Sequence, residues 1–398
     1  MKKKEVNSGK FGDVLKSLRK VKDDMTLAVD TEKKNKKKRK KSNSIGSADV
    51  PSKNDGKLSI GIVGIGSIGT TVATILASNG YDVEITKKNT NALTIDNCVN
   101  LEINGAFGDK SYLVPYVENN NFSTKKDIII MCTQSFSTVG ALSEVKKYLK
   151  PTGIVISMQN VLNISDVLKE IPKDKYIPLI IDWTATRIEE NHVLVVRTGN
   201  MHIGVFDEKA VVFLPIVKKL LDCIQPTIIE KNMMSFIASR FVLSSTLSCV
   251  LAITGHKLKY TLLRKTARNL VIGTIIEMLE VFEAHGIKVP PYCDTLDYDM
   301  FTKKGLRGWF YRQRIFSRFI RQNGDMSSSI LRALENKKKT ELGSMCARIV
   351  EMAKTKNIEV PFNETITNFL LDVENGNETI FMENLSKPCF TDLKIKWR

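Results

Sequence analysis

The chain has 398 residues, of which 42% are hydrophobic and 26% are charged. This balance excludes a wholly disordered protein and suits two folded domains. No apolar run reaches the roughly 20 residues that a membrane-spanning helix needs, and no apolar stretch follows the basic N-terminus, so neither a span nor a secretory signal is predicted. The seven cysteines are dispersed without a CxxC pair, which indicates reduced thiols in a cytoplasmic protein and no metal site.

The net charge of +17 is concentrated at the N-terminus. Residues 1–56 hold 17 lysines and arginines against 8 aspartates and glutamates, and this polar composition predicts a disordered basic tail that is dispensable for folding. Residues 33–41 form a nearly unbroken basic run. Two interpretations of the run are open: a nuclear-import signal or a contact with nucleic acid or an anionic membrane, and a solvated charge run without a partner.

Residues 58–86 carry the central motif of the chain. An apolar run at 58–63 leads into a Gly-x-Gly-x-x-Gly turn, a helical segment at 70–78 and a second apolar run at 81–86. This is the order of a dinucleotide-binding βαβ unit, in which the glycines allow the tight turn, the approach of a pyrophosphate and close packing of the helix. The predicted cofactor-binding residues of the turn are Gly64, Ile65, Gly66, Ser67, Ile68 and Gly69.

The alternation of strands and helices continues beyond this unit. Strands are predicted at 127–132, 153–157, 178–181, 193–197 and 201–206, and a helix at 140–149. The first two strands are continuous apolar runs, which is typical of strands buried on both faces. Ligands of doubly wound sheets bind beyond the carboxyl ends of the strands. Gln134 and Asn160 come just after two such ends, and we therefore expect both of them beside the cofactor.

From about residue 209 the apolar residues recur with the spacing of helices. Helical segments are predicted at 210–223, 233–253, 262–285, 340–354 and 363–373. The predicted fold is an α/β N-terminal Rossmann-type doubly wound sheet followed by an all-α C-terminal domain, with a cleft between the two. The predicted parts are a tail (1–56), a cofactor domain (57–208), a helical substrate domain (209–376) and a C-terminal extension (377–398).

Aromatic and basic residues are interleaved at 308–321, within a stretch from 285 to 327 that has no regular period. Such a stripe can contact lipid headgroups or nucleic acid. The commoner pattern is a helix whose aromatic face packs on the core while its arginines reach water, and this structural interpretation is preferred.

These motifs, in this order, resemble the ketopantoate reductase (2-dehydropantoate 2-reductase) family over about residues 57–375. The opening strand and glycine turn resemble the family's phosphate loop, and Met158-Gln159-Asn160 is similar to its Gln-Asn-Gly corner. The stretch from Ser329 to Glu341 is the most specific match. Two weaker similarities are the mid-domain strand at 199–204 and the helix that carries Glu277 and Gly286.

The resemblance implies NADPH-dependent reduction of a small 2-oxo acid or related ketone, with a homodimer as a further expectation. In the family, the residue that matches Ser329 contacts the substrate, and the one that matches Glu341 lies beside the cofactor and the catalytic centre. The residue that matches Asn160 reaches the nicotinamide. Lys88 falls where the family places a basic residue for the 2′-phosphate of NADP, and no carboxylate at that strand end favours NAD.

The chain departs from the family at the catalytic helix. Where the family has a proton-donating lysine followed by two asparagines, this sequence has Arg240, Ser244 and Ser248. Gln134 replaces a further lysine of the first domain. An arginine can polarise a carbonyl or hold a carboxylate, but it does not readily give up a proton.

Two hypotheses are therefore open. In the first, the chain is a divergent NADP-dependent oxidoreductase in which Arg240 and Glu341 are catalytic, while Ser244, Ser248 and Ser329 bind the substrate. In the second, it is a catalytically impaired NADP-binding pseudoenzyme that acts as a sensor or interaction protein. A further alternative is a nuclear or nucleic-acid-associated factor that acts through the basic tail, and only then is a nuclear location expected in place of the cytoplasm.

Overall fold

The computed structural model describes residues 58–87, 97–158, 162–292 and 296–397. The predicted tail with its basic run at 33–41, and the site candidates Lys88 and Asn160, lie outside these ranges. Within them, eleven strands form one sheet. The strands are β1 (Ser59–Val63), β2 (Asp82–Lys87), β3 (Cys98–Gly105), β4 (Lys110–Glu118), β5 (Lys126–Met131), β6 (Leu149–Met158), β7 (Tyr176–Ile181), β8 (Thr184–Glu189), β9 (His192–Arg197), β10 (Met201–Ile203) and β11 (Thr227–Ile229).

The sheet is built around β1, which pairs in parallel with β2 on one side and with β5 on the other. The parallel layer continues through β6 and β7, while β3, β8 and β10 each run antiparallel to a neighbour. The complete order is β11-β10-β7-β6-β5-β1-β2-β4-β3-β9-β8. Because the strand order reverses at β1, the crevice beyond the carboxyl ends of β1 and β5 is where ligands of such sheets bind.

The helices of the described residues divide between the two halves of the chain. Those that accompany the sheet are α1 (Ser67–Ser78), α2 (Ser135–Val145), α3 (Ile164–Val167) and α4 (Leu214–Asp222). Those of the second half are α5 (Met233–Thr254), α6 (Leu258–Thr261), α7 (Lys265–Ala284), α8 (Tyr298–Thr302), α9 (Leu306–Asn323), α10 (Ser329–Glu335), α11 (Cys346–Lys354), α12 (Pro361–Glu374) and α13 (Pro388–Thr391). An α/β sheet domain followed by an all-helical domain is the fold class that the sequence predicts, and that prediction is confirmed.

The sheet separates two apolar cores, and β5 shows how. Ile128 and Ile130 point to the core that α1 and α4 complete, whereas Ile129 and Met131 point to the opposite core. Successive side chains of a strand face opposite sides, so a continuous apolar run contributes side chains to both cores. The second core also contains Phe241 of α5 and most other apolar residues of the helical domain. The two domains are therefore joined through one continuous apolar interior.

The sheet layer continues past residue 209, where the periodicity placed the start of the helical domain. Val217 and Leu221 of α4 pack in the same core as α1, and β11 extends the sheet by pairing with β10. The helical domain begins at α5 instead. The spacing of apolar residues identifies α4 as a helix, but it does not reveal whether that helix covers a sheet or other helices.

α5 is the central helix of the second domain. The side chain of Asn232 caps its start by accepting a 3.0 Å hydrogen bond from the N–H of Ser235, and Gly255, with a φ of +69°, ends it in the left-handed conformation. By length and composition alone α5 could cross a membrane, the one described helix that could. Because 72% of this apolar stretch is buried inside the protein, we interpret α5 as a core helix.

Several local predictions differ from the structure. The helix predicted at 340–354 begins only at Cys346. The helix predicted at 140–149 is α2, which begins and ends earlier because residue 149 already enters β6. β3, β4, β8 and β11 were missed, since most positions of β4, β8 and β11 are exposed. The stretch from 285 to 327 contains the regular helix α9 of 18 residues, where no period was evident.

Candidate active site

The glycine turn is packed tightly on one side and open on the other. Gly64 has a φ of +93°, a conformation that residues with a Cβ rarely adopt. A Cβ on Gly69 would lie 1.9 Å from the carbonyl oxygen of Gly64, so α1 can start this close to β1 only with glycine there. Apart from its chain neighbours, no atom of the described residues lies within 4 Å of the position of a Cβ on Gly66. This open space adjoins the N-terminus of α1, where backbone N–H groups bind phosphates.

Arg187 contacts this turn, and sequence reasoning missed it. It lies on β8, which packs against α1, and its Nη2 donates a 2.7 Å hydrogen bond to the backbone carbonyl of Ile65. The side chain of Ile65 is buried, while Ser67 and Ile68 are half-buried at the start of the helix. Arg187 therefore adds a positive charge next to the turn. Because 122 residues separate it from Ile65, no local motif could have revealed it.

The corner between β5 and α2 receives a carboxylate from the helical domain. Gln134 precedes α2 and is exposed, and the N–H of the following Ser135 donates a 3.0 Å hydrogen bond to Oε1 of Glu341. The helix dipole and the unpaired N–H groups of a first turn both favour a carboxylate at this position. Gln134 and Glu341 are thus neighbours across the two domains, at the strand end next to the glycine turn.

Arg240, on α5, lies at the carboxyl end of β7. Its Nη1 forms an ion pair with Asp182 and donates a 3.1 Å hydrogen bond to the hydroxyl of Tyr292. Its Nη2 donates a 2.8 Å hydrogen bond to the carbonyl oxygen of Ile181. β7 pairs in parallel with β6, and Asn160 follows β6 in the sequence. The guanidinium therefore lies at the same edge of the sheet as the glycine turn, with its charge balanced by Asp182.

A buried histidine holds Asp182 from the other side. His202, on β10, is 5% exposed, its ring stacks on Phe236, and its nitrogens lie 3.0 Å from Asp182 and 2.8 Å from Glu230. Burial alone would lower the pKa of His202, but the two carboxylates raise it above its usual value. Burial alone would raise the pKa of Asp182, but His202 and Arg240 lower it overall. Negative and positive groups therefore alternate from Glu230 through His202 and Asp182 to Arg240.

Ser244 and Ser248 follow Arg240 along one face of α5, because residues four apart on a helix lie above one another. Both are half-buried. The carbonyl oxygen of Ser248 accepts a 2.7 Å hydrogen bond from the hydroxyl of Ser328, which also caps the first turn of α10. This bond places Ser329, the exposed first residue of α10, beside the Ser248 end of the face. The sequence indicated Ser329 but missed Ser328, the serine that joins the two helices.

The described site residues thus line one edge of the sheet, from the glycine turn past Glu341 to Arg240. In the described ranges, no group of three or more histidines, cysteines, aspartates or glutamates could hold a metal ion. The fold and this edge define a class: two-domain proteins in which a nucleotide-type glycine turn on a Rossmann sheet faces polar side chains of a helical domain.

Comparison with known proteins identifies the family. The family described as "Ketopantoate reductase PanE/ApbA" matches residues 60–208, and its C-terminal counterpart matches residues 232–374. The chain therefore belongs to the ketopantoate reductase family of oxidoreductases. It is 23% identical over 321 residues to the 2-dehydropantoate 2-reductase of Pyrococcus abyssi, covering 77% of this chain and 94% of that protein. The corresponding protein of Aquifex aeolicus is 22% identical over 320 residues, with 78% and 94% covered.

Solved structures share the fold at still lower identity. D-mandelate dehydrogenase in ternary complex with NADH and anilino(oxo)acetate superimposes with a TM-score of 0.68 at 17% identity, covering 81% of this chain and all of that one. A PanE/ApbA family ketopantoate reductase from Ralstonia eutropha JMP134 gives the same values. At this identity the similarity establishes the fold alone. The identity of the substrate must be argued from the residues of the site.

Proposed function

We propose that the protein is an NADP-dependent oxidoreductase that reduces a 2-oxo acid or a related ketone. The observation that carries the proposal is the 3.0 Å hydrogen bond between Glu341 and the backbone of Ser135. It brings a carboxylate of the helical domain to the strand end beside the glycine turn, which supports a site shared by cofactor-binding and substrate-binding residues. Binding sites are common at such domain junctions.

The glycine turn fits a dinucleotide. The open space at Gly66 leaves room for a pyrophosphate, which the N–H groups of Ser67 and Ile68 would hold. Bound NADPH would supply the hydride. We assign Lys88 to the 2′-phosphate from its sequence position, and Arg187 to the pyrophosphate because its guanidinium lies one hydrogen bond from the turn. A guanidinium is well suited to phosphate because it offers paired N–H donors.

The face of α5 fits a substrate with a polarised carbonyl. Because Asp182 balances the charge of Arg240, the guanidinium acts here as a hydrogen-bond donor more than as a net charge. Ser244 and Ser248 would donate to further substrate oxygens, and Ser329 would hold the polar end from α10. Serines are shorter than the asparagines of the family, so the proposed pocket has room for a larger substrate than ketopantoate.

Tyr292 is our candidate for the proton donor that the family's lysine would supply. Its hydroxyl lies 3.1 Å from Nη1 of Arg240. In the proposed step, the phenol of Tyr292 would pass its proton to the carbonyl oxygen as the carbonyl carbon accepts hydride and the π electrons of the C=O bond move to that oxygen. The guanidinium of Arg240 then stabilises the phenolate, and water returns a proton to it. Positioned acids of this kind contribute about 10²–10⁴-fold to a rate.

Nucleotide titration followed by a panel of 2-oxo acids tests the proposal. We expect NADPH to bind more tightly than NADH, and ketopantoate to be reduced poorly because the serines leave its oxygens unpaired. Equal and weak binding of the two nucleotides would contradict the Lys88 assignment. Ketopantoate turnover at about 1–10³ per second, the usual range of enzymes, would contradict the altered pocket.

Single substitutions separate the proposed roles. Arg187→Ala should weaken NADPH, NADH and ADP-ribose alike, by about tenfold or more, because all three contain the pyrophosphate. Lys88→Ala should weaken NADPH alone. Tyr292→Phe should lower turnover while nucleotide affinity stays unchanged. Arg264→Ala, which removes an exposed arginine away from the turn, is the matched control. Unchanged ADP-ribose affinity in Arg187→Ala would show that this arginine only joins β8 to the turn.

The second candidate function is a catalytically impaired NADP-binding protein. It is favoured by the contacts of Arg240, whose Nη1 and Nη2 already donate to Asp182, Tyr292 and Ile181. The combined change Arg240→Lys, Ser244→Asn and Ser248→Asn distinguishes the candidates. If the site is merely damaged, the triple change should raise ketopantoate turnover. If the pocket serves another substrate, the change should lower activity on that substrate and help ketopantoate little.

We further propose a homodimer in the cytoplasm. The ketopantoate reductase of Staphylococcus aureus, which shares this fold with a TM-score of 0.63, is described as dimeric. The cysteines of the described residues are all free thiols, as expected in a reducing compartment. Sedimentation velocity across a concentration series tests the dimer, and a fluorescent fusion of the full chain tests the location. A monomer at every concentration would contradict the first part, and nuclear accumulation the second.

A further inference from the structure

The start of α9 exposes a compact apolar surface. Leu306, Trp309 and Phe310 are 77%, 49% and 64% exposed, and they follow one another at positions i, i+3 and i+4, so they share one face of the first turn. The two aromatic rings pack edge to face, with centroids 4.8 Å apart. The rest of the helix behaves differently, since Phe316 is buried in the core. The aromatic residues at 308–321 thus divide into a core group and an outward group.

Positive charge surrounds this apolar surface. The four cationic neighbours Lys303, Lys304, Arg307 and Arg314 are all exposed. No aspartate or glutamate occurs from residue 303 to residue 324. At the two ends of the segment, Asp299 is exposed and Asp325 pairs with Lys257 and Lys259. We name the three apolar residues and these four cations the α9 tip.

The α9 tip is held firmly to the body of the protein. The buried guanidinium of Arg312 donates hydrogen bonds of 2.9 and 2.8 Å to the carbonyl oxygens of Phe301 and Lys303, and it lies 4.4 Å from the ring of Trp397. A Cβ on Gly308 would lie 1.9 Å from the carbonyl oxygen of Lys303, so this glycine lets the lysine pair approach the helix. The exposed side chains are therefore presented on a fixed backbone and are not part of a loose loop.

We propose that the α9 tip docks the protein on an anionic lipid surface. Aromatic side chains surrounded by lysine and arginine are suited to the headgroup region, where the rings enter the apolar boundary and the cations meet phosphate and carboxylate groups. Charge complementarity selects this partner over a second copy of the chain, which would set two cationic tips against each other. It is selected over duplex nucleic acid because the phosphate backbone of a duplex offers nothing apolar to the largely exposed Leu306 and Phe310.

Vesicle co-sedimentation with the full chain tests the proposal. We expect binding to phosphatidylcholine vesicles that contain about a third phosphatidylserine, little binding to pure phosphatidylcholine, and weakening by salt. Trp309→Ala with Phe310→Ala should reduce binding about tenfold or more, because two aromatic groups no longer enter the interface. Phe381→Ala, which removes another exposed aromatic residue, should leave binding unchanged and is the matched control.

Tryptophan fluorescence supplies a second readout. Trp183 is buried and Trp397 is half-buried against Arg312, so a blue shift on adding the anionic vesicles should arise mainly from Trp309 and be lost in Trp309→Phe. If the double variant has a lower thermal midpoint, Arg307→Glu with Arg314→Glu replaces it and should weaken binding about tenfold or more, since each cation near the surface contributes about fivefold. Vesicle binding that survives these changes would overturn the proposal. So would a dimer that the same changes dissociate, or a loss of binding to duplex DNA without loss of vesicle binding.

Discussion

Two glycines of the turn, Gly66 and Gly69, should respond to substitution in opposite ways. Gly69→Ala places a Cβ 1.9 Å from the carbonyl oxygen of Gly64 and 3.2 Å from Cβ of Cys132. Gly64 directly follows β1 and Cys132 directly follows β5, so neither neighbour can move without shifting the end of a strand. The Cβ of Gly66→Val meets no described atom within 4 Å beyond its chain neighbours, and the φ of −79° at Gly66 is open to any residue.

The magnitudes follow from these contacts. Overpacking of this kind costs about 1–3 kcal/mol, and each kcal/mol lowers the midpoint of a domain of this size by about 2–4 °C, so Gly69→Ala should lose about 2–12 °C. Gly66→Val should stay within about 2 °C of the wild type, because changes outside packed regions cost at most about 0.5 kcal/mol. Its side chain would nevertheless occupy the place of the pyrophosphate. We expect NADPH affinity to fall at least about 100-fold, since charge-assisted hydrogen bonds worth about 1.5–3 kcal/mol each are lost.

Differential scanning fluorimetry with and without NADPH measures both effects in one series. The wild type should gain stability with nucleotide, Gly66→Val should keep its midpoint but gain none, and Gly69→Ala should melt early. A Gly66→Val variant that still binds NADPH as the wild type does would refute the assignment of the open space to phosphate. An equal drop in the thermal midpoint of the two variants would show that the turn is packed at Gly66 as tightly as at Gly69.

Three further predictions concern a buried ion pair, a buried glutamate and the N-terminal segment. Lys126→Met should lower the free energy of unfolding by about 3–5 kcal/mol in chemical denaturation, because it leaves Glu84, its buried partner at 2.7 Å, without a counter-charge. Adding Glu84→Leu should recover most of this stability, and a double variant without recovery would contradict the pairing. Burial raises the pKa of Glu277 to about 7 despite hydrogen bonds from Phe362 and Asn363, so the native state binds this proton more tightly than the unfolded chain, where glutamate titrates near 4.3. The unfolding free energy should therefore fall as the pH rises from about 4.5 to about 7, and Glu277→Gln should flatten that dependence; an unchanged pH profile in the variant would count against it. Deleting residues 1–56 should leave the midpoint and NADPH affinity nearly unchanged, because the segment has too little apolar surface to offset the entropy of ordering, and a large drop in either would show that it packs on the body.

The local sequence pattern was sufficient to predict those parts of the fold in which the role of each residue depends on its neighbours in the chain. The turn from Gly64 to Gly69 needs glycine for reasons of backbone geometry, and the buried runs of β1, β5 and β6 are continuous because both faces of those strands are covered. The order of these elements therefore predicted the Rossmann sheet. The helical spacing after it predicted the second domain.

The site itself was decided by contacts between distant parts of the chain. Glu341 meets Ser135 across 206 residues, and Arg240 meets Asp182 across 58. Neither Asp182 nor Arg187 belongs to a motif that could have marked it. Pattern also could not tell that α4 covers the sheet, or that the first turn of α9 exposes its aromatic residues while the next turns bury theirs. Periodicity records which side of an element is apolar, and only the tertiary structure determines what that side faces, because burial and charge pairing depend on neighbours that the linear order does not specify.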